Sequence, residues 1–200
     1  MKQGILHDKD IREPLFDFLD EYYGKSRIIE EKQIGKSRAD IAMVLPDMIV
    51  GIEIKSDADT YERLNRQIKD YDIYFDRNII VVGSTHALRV REHVPENWGI
   101  ISAEEENGKF DFYVVRKPAL NTKRKIKLKM SFLWRPELAD ILAENGMHRY
   151  AGKSKAFVSE RIMEKVSEEV LGKQISDELF ERDYTTVEET IKDYRTKRKR

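Results

Sequence analysis

The stretch from Arg38 to Ser56, RADIAMVLPDMIVGIEIKS, constrains the fold more than any other part of the chain. Two apolar runs flank Pro46-Asp47, and each is apolar at nearly every position instead of every second one. A strand wetted on one face alternates; strands apolar on both faces lie inside a sheet covered by helices on each side. A tight reversal at Pro46-Asp47 makes residues 45 and 48 partners. In that register Asp40 sits directly opposite Glu53, with Cβ atoms about 5 Å apart. Lys55, two residues beyond Glu53, shares its face, and Arg38 is its partner across the pair.

The surrounding pattern supplies the rest of a mixed sheet. Residues 9–23 carry Ile11, Leu15, Phe18, Leu19 and Tyr22 at helical spacing, and Gly24 is a natural stop. Runs rich in Ile and Val at 27–34, 38–45, 48–56 and 78–84 have strand composition. Between the last two, Asp59 or Thr60 is placed to cap a helix whose buried stripe is Leu64, Ile68, Tyr71 and Phe75. Strand, helix, strand at this spacing is a crossover, so the sheet is mixed. Residues 98–104 and 109–116 form a hairpin turning at Asn107-Gly108.

Charge divides the chain. Residues 1–115 hold 16 Lys+Arg against 23 Asp+Glu, and residues 116–200 hold 21 against 14. Such a split marks an acidic half joined to one that touches a polyanion, or else helical surfaces that alternate in charge. Residues 116–129 contain seven basic residues and no acid, so they read as a linker or an exposed basic segment. From Met130 onward the pattern is helical. The expected organisation is 1–117, an α/β domain; 118–129, a basic linker; and 130–200, a helical region.

Several classes of chemistry are excluded. The chain has no cysteine, which removes disulfides, thiolate metal sites and cysteine nucleophiles. His7, His86, His93 and His148 show none of the close spacings of a zinc site. No apolar run approaches the roughly 20 residues of a membrane helix, and the polar first residues are not those of a signal peptide. A cytoplasmic protein without membrane contact is expected.

The paired carboxylates are the candidate site. Opposed acids among apolar neighbours are destabilising unless compensated. A divalent cation is one compensation; a salt-bridge cluster with Lys55 and Arg38 is the other. Oxygen-only donors in this number suit Mg²⁺ or Mn²⁺, which keep waters and bind phosphate oxygens directly.

Asp40, twelve intervening residues and then Glu53-Ile54-Lys55 resembles the D…(D/E)xK core of the PD-(D/E)XK nuclease superfamily. Gln67 and Tyr71 match the QxxxY helix signature of its RecB-like branch, and the wording of residues 8–84 resembles an uncharacterised bacterial and phage family within it. The resemblance implies a restriction-endonuclease-like α-β-β-β-α-β core, a mixed sheet flanked by helices, followed by the helical C-terminal region. It also implies metal ligation by Asp40, Glu53 and the Ile54 carbonyl, completed by Glu31 or, failing that, Glu30. Lys55 is then the catalytic lysine, Gln67 orients it or contacts phosphate, and Tyr71 supports it and counts among the DNA contacts. For Gln67 and Tyr71, ordinary helix packing is the plain alternative. Ala39 stands where the family's nominal proline would be.

Residues 138–162 resemble the SAP motif, a helix-extended-helix DNA-binding unit, in a leucine-rich first helix, two glycines and late basic residues. Its implied phosphate contacts include Lys153, Lys155 and Arg161, with Arg149 nearby; a helical hairpin packed on the core is the alternative. Arg38 and the linker residues Lys123, Arg124 and Lys125 are further candidate DNA contacts. The basic tail, Arg195 to Arg200, suits polyphosphate contact or a solvated helix end. Together these readings lead to the expectation of a Mg²⁺- or Mn²⁺-dependent nuclease acting on DNA, with a homodimer among the possible assemblies. The alternatives are an inactive nucleic-acid-binding or assembly module of the same fold, and a toxin or defence component requiring a partner.

Overall fold

A computed structural model describes residues 8–56, 60–83, 86–87 and 89–182. The chain begins with α1 (Asp8–Tyr23), then β1 (Arg27–Ile34), β2 (Ser37–Val44) and β3 (Ile49–Lys55). Helix α2 (Leu64–Tyr74) leads to β4 (Arg77–Gly83), a single 3-10 turn at Val90–Glu92, β5 (Gly99–Glu106) and β6 (Lys109–Arg116). Helices α3 (Ile126–Met130), α4 (Arg135–Glu144), α5 (Lys155–Met163) and α6 (Glu168–Glu181) follow. The six strands form one mixed sheet in sequence order: β1, β2 and β3 are antiparallel, β3, β4 and β5 parallel, and β5 and β6 antiparallel. The molecule is therefore of the mixed α/β class, and its first six elements follow the expected helix, three strands, helix, strand. Among the described residues no helix is long and apolar enough to cross a membrane.

Both faces of the sheet are covered, which explains the unalternating strands. On one face Ile11, Leu15 and Leu19 of α1 pack against Ile41, Met43, Val50, Ile52, Val81 and Ile101. The other face carries Ala42, Val44, Ile80, Val82 and Ile100 against Leu64, Tyr71, Phe75 and Trp98, in a cluster that continues into α4, α5 and α6. Gly51 belongs to this second face because Phe75 lies directly over it; a Cβ there would meet the ring at 2.2 Å. The hairpin register is the expected one: Ile41 pairs with Ile52 and Val44 with Ile49, and Leu45 N–H donates to the Met48 carbonyl across the reversal. Asn107 and Gly108 both have positive φ, the twist a two-residue hairpin turn demands.

Two local expectations change. Helix α2 starts at Leu64, after a turn in which Leu64 N–H donates to the Tyr61 carbonyl, so Thr60 does not cap it; Asp59 lies outside the described residues. The basic stretch is anchored instead of hanging free. Asn121 is buried and its amide donates to the carbonyls of Asp72 and Phe75, Lys123 pairs with Asp72, and Arg124 and Lys129 both pair with Asp76. The two acids sit four residues apart along the chain, at the C-terminal end of α2 and just past it, and they pair with three of the seven basic residues of the stretch. One apolar cluster takes in residues from both sides of 118–129, with Ile126 of the segment packed against it. The tail residues Arg195 to Arg200 lie outside the described residues.

Candidate functional site

The site forms where β2 and β3 part. Their ladder ends at Ile41 and Ile52, and side chains take over the main-chain groups beyond it. The Ile54 N–H donates to Asp40 Oδ2 at 2.8 Å, and the Asp40 N–H donates to the Tyr71 hydroxyl at 3.3 Å. Asp40 and Glu53 therefore face one cavity, as the register requires. Glu53 is 1% exposed, a position where a carboxylate must be fully bonded. Lys55 Nζ and Gln67 Nε2 both donate to its Oε1, and the Tyr71 hydroxyl, itself fully buried, donates to its Oε2 at 2.8 Å. Gln67 and Tyr71 reach it together because residues four apart lie on one helix face.

The cavity encloses about 460 Å³. Asp40 and Glu53 line it with Asp8 of α1, and Lys36, Arg38, Lys55, Arg63 and Arg66 supply positive charge around them. Burial, then the neighbouring Glu53 and Asp8, push the Asp40 carboxyl up to about 8, against the Ile54 N–H and the Lys55 charge. The same burial and the two carboxylates drive the Tyr71 hydroxyl well above its ordinary value, so it stays a donor. Three buried oxygens lining this cavity have no hydrogen-bond partner: Asp8 Oδ1, Ser37 Oγ and Gln67 Oε1. Buried oxygens are normally satisfied, so these three stand out on the cavity wall.

Asp40, Glu53 and Lys55 are brought together as the strand register requires, and Ile54, Gln67 and Tyr71 lie beside them. Glu31 is not among them. It has the left-handed φ of +52°, which interrupts the β1–β2 ladder opposite Asp40, and its carboxylate is bound by Arg12 at 2.6 Å and by Arg38. Glu30 likewise meets Arg12, at 3.3 Å. Asp8, bridged to Arg12 at 2.8 Å, occupies the cavity wall in their place. Tyr71 has no exposed surface and so supports Glu53 instead of reaching a partner. Lys155 donates to the Ser131 carbonyl, Arg161 pairs with Glu164, and Lys153 and Arg161 both lie over the Phe157 ring; these cations sit on α5 and just before it, and none lines the cavity. Sequence reading missed Asp8, Arg12, Lys36, Arg63 and Arg66. The Asp8–Arg12 spacing of four on a helix was the available signal for the first two. Among the described residues no group of three or more His, Asp or Glu converges closely enough to make a preformed metal cage.

The sequence model of the family described as "Bacteriophage P4 protein cII" matches residues 1–200. Among curated proteins, Protein cII of Enterobacteria phage P4 is 25% identical over 150 residues, which is 72% of this chain and 55% of that protein. The chain thus spans about half the length of the curated relative it matches. No solved structure matches. These findings overturn the PD-(D/E)XK assignment, and with it the expectation of a DNA-cleaving hydrolase, a catalytic Lys55 and a SAP-like unit. The inactive module of that fold and the partner-dependent toxin or defence component lose their basis too. The physical reason lies in how little the motif specifies. Opposed acids with a lysine two residues on arise wherever a buried carboxylate is neutralised by its neighbour, and here Lys55 does sit on Glu53. Its few residues define less than a match along the whole chain does.

Proposed function

The chain belongs to the bacteriophage P4 protein cII family, and from that premise we propose that it is a phage regulatory protein that works by binding: its acidic cavity takes a divalent cation, Mg²⁺ or Mn²⁺, and with it a phosphate group of a ligand such as DNA. The observation that carries this reading is the forced meeting of Asp40 and Glu53 beside buried oxygens that lack partners. The donor set fits a hard cation, since every candidate donor is oxygen. Asp40 and Glu53 are the ligands, with the Ile54 carbonyl and the orphan Gln67 Oε1 as further donors. A bound cation neutralises both carboxylates and attracts phosphate oxygens. Tyr71 and the Gln67 amide fix the Glu53 carboxylate, and the Ile54 N–H fixes that of Asp40. Lys36, Arg38, Arg63 and Arg66 place positive charge where an anionic ligand enters.

The element order also fits a restriction-endonuclease-like core, and a fold carries no activity with it. Cytoplasmic location belongs to the same proposal. Fluorescence anisotropy of a labelled oligonucleotide, with Mg²⁺ and then with excess chelator, tests it. Affinity at least about tenfold higher with Mg²⁺, and lost in Asp40→Asn, is expected, the size of one good ligand's removal. Equal binding in Mg²⁺ and chelator overturns the reading.

A further inference from the structure

We infer that the cavity contains a subsite for a phosphomonoester, formed by Lys36 in the β1–β2 turn and Ser37 just after it, together with Arg63 and Arg66 at the start of α2. The inference builds on the proposed phosphate ligand and specifies which phosphate it is. Most cations near the carboxylates are already used: Arg12 by Asp8 and Glu31, Arg38 by Glu31, Lys55 by Glu53. Lys36, Arg63 and Arg66 line the same cavity, and none of them has an ion pair or side-chain hydrogen bond among the described residues. Three cations that no carboxylate of the cavity pairs with leave donors for an anionic ligand.

Ser37 supplies the second, independent observation. It is 5% exposed, lines the cavity, and its Oγ is buried without a partner. Its position is fixed. Gln33 Nε2 donates to the carbonyls of Gly35 and Ser37 at 3.0 and 2.8 Å, tying the turn to its own strand. Gly35, at φ +54°, lies so close to α2 that a Cβ would meet Asp70 Oδ1 at 2.7 Å. That φ favours glycine, and the contact sets the turn against the helix that Arg63 and Arg66 begin. The hydroxyl and three cations therefore come from two elements held against each other.

This donor set exceeds what an internal phosphodiester needs. A diester has one negative charge and two free oxygens; a monoester near neutral pH carries about −1.5 to −2 and has three. Arginine's planar fork suits those oxygens, and a hydroxyl can donate to one of them. A terminal phosphate of a polynucleotide and the phosphate of a free nucleotide share this chemistry.

The test compares a 5′-phosphorylated oligonucleotide with its 5′-hydroxyl counterpart by anisotropy in Mg²⁺, with nucleoside monophosphate as competitor. The phosphorylated form is expected to bind at least about tenfold more tightly, with that advantage falling below about twofold in the Arg63→Gln/Arg66→Gln variant and reduced in Ser37→Ala; such charge-assisted contacts carry this much. Both arginines are exposed, so the variant's melting temperature stays at the wild-type value. Competition by the monophosphate assigns the subsite to free nucleotides, and competition by phosphorylated oligonucleotide alone assigns it to strand ends. Equal affinity for the two oligonucleotides overturns the subsite. A phosphate preference that persists in chelator, with the affinity for both oligonucleotides unchanged, upholds the subsite while refuting the cation reading.

Discussion

Replacing Asp40 by asparagine should make the cation-free protein more stable at pH 8. An isolated carboxyl titrates near 3.8, whereas burial, Glu53 and Asp8 hold this one at about 8 in the folded chain. The folded state therefore grips the proton more tightly than the unfolded state does. The stabilisation this gives is complete below the unfolded value and is lost as pH rises through the folded value, at about 1.4 kcal/mol per pH unit. Taken over the whole interval that is about 5–6 kcal/mol. That figure is already net of the Ile54 N–H and the Lys55 charge, while asparagine also gives up the attraction of the Arg12 guanidinium 3.6 Å from the carboxylate. A net gain of about 1–3 kcal/mol for Asp40→Asn at pH 8 remains, or roughly 2–12 °C in Tm for a chain of this size. Asparagine keeps an oxygen for the Ile54 N–H, so the strand fork is preserved. Thermal melts in chelator from pH 4 to pH 9 read the effect: the difference between variant and wild type should grow with pH and vanish near pH 4. A variant less stable than wild type at pH 8, or one equally stabilised at pH 4, refutes the reasoning.

Tyr71→Phe strips the buried Oε2 of Glu53 and the Asp40 N–H of their partner, so urea unfolding should show a loss of about 2–3 kcal/mol. Divalent-cation affinity should fall about tenfold or more with it, as for other residues that orient a ligand. Gly51→Ala drives a methyl into the Phe75 ring; a loss of about 1–3 kcal/mol or an insoluble product is expected, since the ring can move only by displacing the core. Arg182→Ala leaves Glu137 buried without the guanidinium that bonds both its oxygens, for a loss of about 3–5 kcal/mol in the same assay.

The strands and their pairing could be read because burial on both faces leaves a continuous apolar run, and the Pro46-Asp47 reversal then sets every partner. That placed Asp40 opposite Glu53; periodicity put Tyr71 on the buried stripe of α2, while Gln67 was singled out only by the QxxxY resemblance. Glu31 could not be placed. Ordinary strand alternation excludes a non-glycine residue at φ +52°, and nothing in its neighbours announces one. The anchoring of the basic stretch was hidden for a different reason: Asp72 and Asp76, which pair with three of its seven cations, lie some fifty residues earlier, so those pairs exist only in the folded chain. Lys36, Arg63 and Arg66 carry no motif; the fold alone gathers them around the carboxylates. Function was least legible, because the residues that imitate a nuclease site also form a self-neutralised buried cluster.

The central claim is that Asp40 and Glu53 hold a divalent cation. Calorimetric titration of Mn²⁺ into the cation-free protein, beside Asp40→Asn and Glu53→Gln, tests it most directly. One saturable site is expected in the wild type and none in either variant. Heats no larger than those of dilution, or a site that survives both substitutions, would contradict it.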